Sequence, residues 1–381
     1  MYQKINDYGI IGNLQTIALV SIEGSIDWLC LPHLDSPSVF AALLDERIGG
    51  RFQLRPEGDA DTVQVYRSQT NVLTTRFRRR DGARMELTDF MPMPNSEDDA
   101  GTVYRKIEVL KGAMRVKLTF APKFEYARAE TRLERHPAGL VASSADGQAL
   151  ALYTGEGMDI ATDGDRAEGW LELSEGQVRW VKCRFGRAEV PACDGDEAEQ
   201  MLEDTVAFWH TWLNTQETGH ELDLGPNREM IERSALVLKL LFFQPSGAIA
   251  AAATSSLPEE IGGVRNWDYR YTWIRDTALT LQALYDLGHL SELEGYLKWI
   301  KKIIRESGAD LRIMYGLRGE TELTEAELGH LEGYKGSAPV RIGNAAEDQL
   351  QLDIYGEIMD AALKLSNYAG KIDIGLWHFL K

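Results

Sequence analysis

Cysteine is scarce in this sequence, and long apolar runs are missing from it. The 381 residues include three cysteines, Cys30, Cys183 and Cys193, an odd number without a Cys-x-x-Cys pair. A disulfide framework or a zinc site is therefore not indicated, and the cysteine usage favours a reducing compartment. The N-terminus lacks a charged segment followed by an apolar run, and no stretch is long enough to span a bilayer. We expect a cytoplasmic protein with no membrane partner.

Positive charge is also in short supply. Lys and Arg total 41 against 59 Asp and Glu, which gives a formal net charge of -18. A surface this acidic repels phosphate backbones and anionic lipids, and this argues against nucleic acid as a partner. The negative electrostatic potential of such a surface does not repel a neutral ligand such as a sugar. The sequence leaves the oligomeric state open.

The hydrophobic pattern changes near Gly195. Before this residue, frequent Gly-containing turn signals separate short runs with period-two alternation, such as residues 115–120 and 178–184. Many short strands with regular turn signals are typical of an antiparallel β-sandwich. After Gly195 the apolar residues take helical spacing. The length also favours more than one domain. We predict a β-sandwich over residues 1–194, a linker helix over 195–226 and a helical domain over 227–381.

Four helices are expected after the linker helix. They are predicted over residues 228–243, 273–287, 291–307 and 345–365 from amphipathic spacing and, at 291–294, from a capping box. Long loops at 254–272 and 308–344 join them. Helices joined by long loops that could carry functional residues suggest an α-toroid.

The segment RNWDYRYTWIRD, residues 265–276, holds the main candidate ligand-binding residues. A pyranose ring has apolar C–H faces that stack on aromatic rings, and hydroxyls that both donate and accept hydrogen bonds. Arg275 supplies donors and Asp276 supplies acceptors, so this pair can hold two neighbouring hydroxyls of one ring. The alternative interpretation is a core element with aromatic packing and a structural ion pair.

Long segments of the chain resemble glycoside hydrolase family 15, the bacterial glucoamylase and trehalase group. Residues 1–46 are similar to the family's N-terminal signature, and residues 254–281 to its first active-site segment. Further similar segments are 311–316, 330–357 and 374–377. The resemblance covers nearly the whole chain. It implies an N-terminal antiparallel β-supersandwich followed by an (α/α)6 toroid, of which about half the helices, a partial toroid, would be present.

The resemblance also implies a set of substrate-binding residues. Arg275 and Asp276 would hold the O4 and O6 hydroxyls of a terminal glucose, while Trp273 and Trp267 would shape and stack against its non-reducing end. The same pocket would be lined by Tyr315, Arg341 and Asn344.

Structural roles remain open for several of these residues. Trp267 and its neighbour Tyr269 are equally suited to the core, and Arg341 can anchor its own loop to a carboxylate. Asp276 can serve the start of a helix through capping and dipole effects. The adjacent Glu259 and Glu260 cannot flank one bond as a catalytic couple, because neighbouring residues on an extended loop point in different directions.

The implied reaction is hydrolysis of a terminal α-linked glucose with inversion, from a malto-oligosaccharide or trehalose. It needs a general acid and a general base about 6.5–9.5 Å apart. The acid is expected directly after the element Gly375-Leu376-Trp377, where this sequence has His378, and the base beyond Lys381. We therefore assign no catalytic residue and expect either a truncated copy of a larger enzyme or the product of a shifted or interrupted reading frame.

A different class of function stays open beside the enzyme. The chain would then be an inactive carbohydrate-binding remnant, or a fragment without a function of its own. The hydrolytic chemistry requires neither a metal nor an organic cofactor, although dependence on phosphate or a divalent ion is undecided. The expected partner is an α-glucoside carbohydrate.

Overall fold

The computed structural model describes residues 2–94, 101–215, 217, 223–307 and 311–369. The chain divides into two units, Met1–His210 and Thr211–Lys381. Strands form the first unit and helices dominate the second, so the predicted order of an antiparallel β-sandwich and a helical region is confirmed. The predicted domain boundaries at residues 194 and 226 stay predictions. In the described part of the chain, no helix is long and apolar enough to cross a membrane.

Up to residue 185, the described part of the first unit contains sixteen strands and one short α-helix. In chain order they are β1 (Tyr8–Gly12), β2 (Ile17–Ser21), β3 (Ser25–Cys30), β4 (Ser38–Phe40), β5 (Arg51–Pro56), β6 (Ala60–Tyr66), β7 (Leu73–Arg79), β8 (Arg84–Phe90), β9 (Thr102–Lys111), β10 (Ala113–Ala121), α1 (Phe124–Ala127), β11 (Thr131–His136), β12 (Gly139–Ser144), β13 (Ala149–Tyr153), β14 (Asp159–Asp163), β15 (Arg166–Ser174) and β16 (Val178–Phe185).

These strands form two antiparallel sheets. The first has the order β1-β2-β3-β5-β10-β15-β14, with β4 paired to β3, and the second has the order β11-β12-β13-β16-β9-β8-β7-β6. The alternating runs predicted at 115–120 and 178–184 lie in β10 and β16, as expected. Val116, Leu118 and Phe120 of β10 are buried in one core with apolar residues of both sheets. The shared core defines a sandwich, because each sheet covers the apolar face of the other.

A buried arginine links the two sheets. Arg105 of β9 forms a bidentate ion pair with Asp89 of β8, with distances of 2.7 and 3.1 Å. The same guanidinium donates to the backbone oxygens of Phe52 and Gly24, at 2.7 and 2.8 Å, which belong to the opposite sheet and its β2–β3 turn. An apolar residue in place of Arg105 would lose all of these bonds. The bonds therefore favour the one alignment of the two sheets in which the guanidinium reaches both.

Helix α2 (Gly195–Asn214) follows the sandwich. Its residues Ala198, Leu202 and Val206 recur at helical spacing and pack with Phe90 and Trp180 of the second sheet. This contact buries the apolar stripe that the sequence shows from Gly195 onward.

The described part of the second unit holds four further helices and four short strand pairs. They are α3 (Arg228–Leu241), β17 (Phe242–Phe243), β18 (Ala248–Ile249), β19 (Ser255–Pro258), β20 (Asn266–Asp268), β21 (Thr272–Trp273), α4 (Ile274–Asp286), α5 (Ser291–Ser307), β22 (Met314–Tyr315), β23 (Ala326–Glu327), β24 (Arg341–Ile342) and α6 (Asp353–Ala369). Single 3-10 turns occur at Ile5–Asp7 in the first unit and at Gly225–Asn227, Tyr334–Gly336 and Ala345–Asp348 here. The helices predicted over 228–243, 273–287 and 291–307 are confirmed to within two residues at each end.

The helix predicted over residues 345–365 is wrong in its first part. Ala345–Asp348 is a 3-10 turn, and α6 begins at Asp353. Asn344 caps the turn, because its Oδ1 accepts a hydrogen bond from the Ala346 amide at 3.0 Å. Gln349 then takes an extended backbone, with ψ of 148°, which ends the turn. The non-helical stretch brings Gln351 to 3.2 Å from the guanidinium of Arg275.

Helix α6 leaves apolar side chains uncovered. Tyr355, Met359 and Leu363 are exposed and lie four residues apart, on one face. The partial toroid itself stays a prediction.

A buried polar cluster stabilises the second unit. The rings of Trp212 and His289 stack at 4.2 Å with an angle of 11° between their planes. Beside them, Lys239 forms an ion pair of 2.5 Å with Glu292, which also accepts a hydrogen bond from the Trp212 indole at 2.9 Å. Burial lowers the pKa of His289, and the nearby carboxylates of Glu292 and Glu217 offset only part of this effect. His289 is therefore held in its neutral form.

The neutral state of His289 makes the stability of this unit depend on pH. In the unfolded chain the pKa of a histidine is about 6.5, and the folded pKa is lower, so the unfolded state binds the proton more readily. Stability is therefore lost as pH falls below about 6.5. We expect the melting temperature of the wild type to fall more steeply between roughly pH 7.5 and pH 5 than that of His289→Phe, which keeps a stacked ring without a titrating group. Calorimetric melts with parallel pH dependence in the two proteins would contradict this assignment.

Candidate functional site

Residues 266–271 form an extended segment whose side chains alternate between two environments. Asn266, Asp268 and Arg270 are buried, whereas Trp267 and Tyr269 are partly exposed. Successive side chains of an extended chain point to opposite sides. The polar residues therefore face the interior of the unit, and the aromatic residues face outward.

The inward-facing polar residues fix this segment in place. Arg270 and Asp268 form a bidentate ion pair, with Nη2–Oδ2 at 2.6 Å and Nε–Oδ1 at 2.9 Å. Their side chains are 1% and 0% exposed. The Asn266 amide donates to the backbone oxygens of Ser337 and Pro339, at 3.1 and 3.2 Å. These bonds tie the segment to the loop that precedes β24.

A cavity of about 330 Å³ lies against the aromatic residues. This volume is within the range of small-ligand pockets, about 300–1,000 Å³. The rings of Tyr269 and Trp273 are 5.8 Å apart and tilted by 48°. The cavity is lined by Trp267, Tyr269, Trp273, Glu325, Asn344, Ala345, Ala346 and Gln349.

The indole nitrogen of Trp273 is a buried donor without a partner. Trp273 lines the cavity but is only 7% exposed, and its Nε1 has no hydrogen-bond partner among the described residues. A buried indole N–H usually finds an acceptor, so this donor is an exception.

Arg341 lies behind Trp267. Its Cζ is 4.7 Å from the centre of the Trp267 ring, a cation–π contact. The guanidinium also pairs with Glu325 at 3.2 Å and donates to the Val264 backbone oxygen at 2.7 Å. Arg341 thus anchors loops and supports Trp267, as the structural alternative allowed, and it is not among the residues that line the cavity.

Arg275 and Asp276 lie in the first turn of α4, and both are partly exposed to solvent. Arg275 Nη2 is 3.4 Å from Asp276 Oδ2, and its Cζ is 5.4 Å from the Trp273 ring centre. Burial raises the pKa of Tyr269, and the negative charges of Glu259 and Asp276 raise it further. Arg275 and Asp276 are not among the residues that line the cavity, but Arg275 contacts Trp273, which is. The Tyr269 hydroxyl stays protonated at neutral pH.

The structure brings together Trp267, Trp273 and Asn344 of the expected binding residues. The Asn344 side chain lines the cavity while its Nδ2 donates to the Asp268 backbone oxygen at 3.1 Å. Tyr315 lies elsewhere, in the interior, where its hydroxyl accepts a hydrogen bond from the Arg312 amide at 2.9 Å. Burial raises the pKa of Tyr315. His378 lies outside the described residues.

Glu325 and Gln349 line the cavity without having been singled out in the sequence. Glu325 belongs to the stretch ETELTEAEL, where four glutamates occur close together and no local pattern distinguishes one from another. It reaches the cavity because β23 pairs with β24, which carries Arg341. Within the described residues, no three His, Cys, Asp or Glu side chains are grouped as metal ligands.

Two family models match this chain. Residues 2–209 match the family described as trehalase-like, N-terminal, and residues 225–379 match glycosyl hydrolases family 15. The trehalase of Thermoplasma volcanium is 34% identical over 383 residues, which cover 100% of this chain and 60% of that protein. The trehalase of Mycolicibacterium smegmatis is 32% identical over 411 residues, covering 100% of this chain and 60% of that protein.

The chain belongs to the family with the trehalase-like N-terminal domain, and its second half carries a glycosyl hydrolase family 15 domain. The resemblance seen in its sequence motifs is thereby confirmed. The chain spans about 60% of the length of the curated relatives that it matches.

The buried ion pair predicts a large effect of one substitution. Arg270→Met removes the partner of the fully buried Asp268 carboxylate, so the free energy of unfolding should fall by about 3–5 kcal/mol. The control is Arg265→Met in the same segment, whose ion pair with Glu259 is exposed and is worth about 0–1 kcal/mol. Urea unfolding measures both. Equal losses in the two variants would show that the buried pair does not hold the segment.

Proposed function

We propose that this chain takes part in the hydrolysis of a terminal α-linked glucose, with trehalose as the substrate. The observation that supports this most strongly is the cavity bordered by Trp267, Tyr269 and Trp273, with Arg275 in contact with the Trp273 ring and paired with Asp276. It lies in the region that matches glycosyl hydrolases family 15. The matched relatives are named trehalases, which favours trehalose over malto-oligosaccharides.

The chemistry of the cavity suits an uncharged polyol. Aromatic side chains bury the C–H faces of a pyranose, while charged side chains exchange hydrogen bonds with its hydroxyls. We infer that Asp276 accepts from a hydroxyl of the terminal glucose and that Arg275 donates to its neighbour. The guanidinium is already oriented by Gln351 and Asp353, at 3.2 and 3.4 Å, so little side-chain freedom is lost when a sugar binds.

Inversion requires an acid and a base on opposite faces of the sugar, about 6.5–9.5 Å apart. The position expected for the acid, His378, lies outside the described residues. We therefore propose for the described residues the binding and orientation of the glucose unit. The rival hypothesis, an inactive remnant, is not supported by the comparisons, because the relatives that match the whole chain are named as trehalases.

The binding role of Asp276 predicts the effect of one neutral substitution. Asp276→Asn removes a charged acceptor, and hydrogen bonds to charged groups contribute about 1.5–3 kcal/mol, so the dissociation constant for trehalose should rise roughly 10- to 100-fold. Isothermal titration with trehalose and with maltose measures the affinities. Glucose release from each sugar is assayed in parallel.

The matched control is Asp286→Asn, which makes the same charge change at the exposed end of the same helix. It should bind trehalose as the wild type does. Absence of trehalose binding by the wild type would contradict the proposed function. Unchanged affinity in Asp276→Asn would contradict the role of Asp276, and tighter binding of maltose would contradict trehalose as the substrate.

A further inference from the structure

Glu325 is the carboxylate that lines the cavity, yet neither the sequence motifs nor the family resemblance singles it out. It directly precedes β23 and lines the cavity together with the aromatic residues. Its side chain is 22% exposed. It therefore presents charge to the cavity while it is largely enclosed by protein.

One ion pair and one hydrogen bond from the protein hold the Glu325 carboxylate. Oε1 is 3.2 Å from Nε of Arg341, and Oε2 accepts a hydrogen bond from the Ala345 amide at 3.3 Å. A carboxylate has about four acceptor positions, so these contacts leave some of them unused. Because the group is fixed before any ligand binds, a further hydrogen bond costs little side-chain entropy.

A second observation indicates what kind of ligand fits. The Trp273 ring also lines the cavity, beside Trp267 and Tyr269, and its buried Nε1 has no acceptor among the described residues. The cavity thus combines a carboxylate acceptor with aromatic faces. A sugar can satisfy both, because its hydroxyls donate and its C–H faces stack on aromatic rings. A cation is a poorer fit, because Arg341 already compensates the charge of Glu325.

We propose that Glu325 is a substrate-contacting specificity residue, which accepts a hydrogen bond from one hydroxyl of the bound sugar. This inference rests on the proposed function and adds a residue to the same site. Glu325 selects ligands by requiring a hydroxyl donor at one ring position. A site that holds such a hydroxyl discriminates strongly against an analogue that lacks it, because the buried acceptor is then left unpaired.

Glu327 provides the matched control for this proposal. It also pairs with Arg341, at 3.5 Å, but its side chain is 62% exposed and it does not line the cavity. Glu325→Gln and Glu327→Gln remove the same charge from the same arginine. Because the Glu327 pair is the more exposed one, the comparison with deoxy analogues, and not the size of the loss alone, separates a sugar contact from a role limited to holding Arg341.

The test compares both variants and the wild type by isothermal titration with trehalose and with a panel of monodeoxy trehaloses, each lacking a different hydroxyl. Glu325→Gln should bind trehalose roughly 10- to 100-fold more weakly than the wild type, and Glu327→Gln should bind it within about twofold. For the deoxy analogue that lacks the contacted hydroxyl, wild type and Glu325→Gln should bind within about twofold of each other. Melting temperatures confirm that both variants are folded.

Three results would overturn the proposal. One is an equal loss of affinity in Glu325→Gln and Glu327→Gln, which would leave Glu325 a structural role. Another is a ratio of wild-type to Glu325→Gln affinity that is the same for every deoxy analogue, because no single hydroxyl would then depend on Glu325. The third is normal trehalose binding by both the wild type and Glu325→Gln, which overturns this inference alone. If instead the wild type binds no trehalose, the proposed function itself fails.

Discussion

The candidate site depends on the buried ion pair between Asp268 and Arg270. Removing two charges from water is costly, and only bidentate geometry with additional hydrogen bonds offsets that cost. Here Arg270 contacts both carboxylate oxygens of Asp268, and the backbone oxygen of Asp268 holds the Asn344 side chain. With the even-numbered side chains fixed inward, the geometry of an extended chain directs Trp267 and Tyr269 outward, to the cavity. The buried Asp268–Arg270 ion pair therefore helps determine which side chains of this segment are available to contact a ligand.

The sequence indicates this arrangement locally but not completely. The mixture of aromatic and charged residues over 265–276 identifies the segment, and its alternation is visible in the letters NWDYR. Which half of the alternation faces inward is decided by partners far along the chain, such as Ser337 and Asn344. For the same reason Glu325 could not be predicted, since its place depends on the pairing of β23 with β24. Long-range register of this kind is set by tertiary packing.

The larger elements were easier to predict because their patterns are long. Period-two alternation in β10 and β16 and the apolar spacing of α5 correspond directly to buried faces. The strand order of the two sheets has no such local signal. The helix expected over 345–365 fails at its start, where Asn344 caps a short turn instead. The same non-helical stretch places Gln351 within hydrogen-bonding distance of Arg275, so it contributes to the candidate site.

The proposed function requires that a glucose unit binds between the aromatic residues and the Arg275–Asp276 pair. A crystal structure of the protein soaked with trehalose would show whether it does. We expect one pyranose ring in the cavity against Trp267, Tyr269 and Trp273, with a hydroxyl within hydrogen-bonding distance, about 2.5–3.2 Å, of the Asp276 carboxylate. A sugar bound elsewhere on the molecule, with this cavity empty at saturating trehalose, would contradict the account.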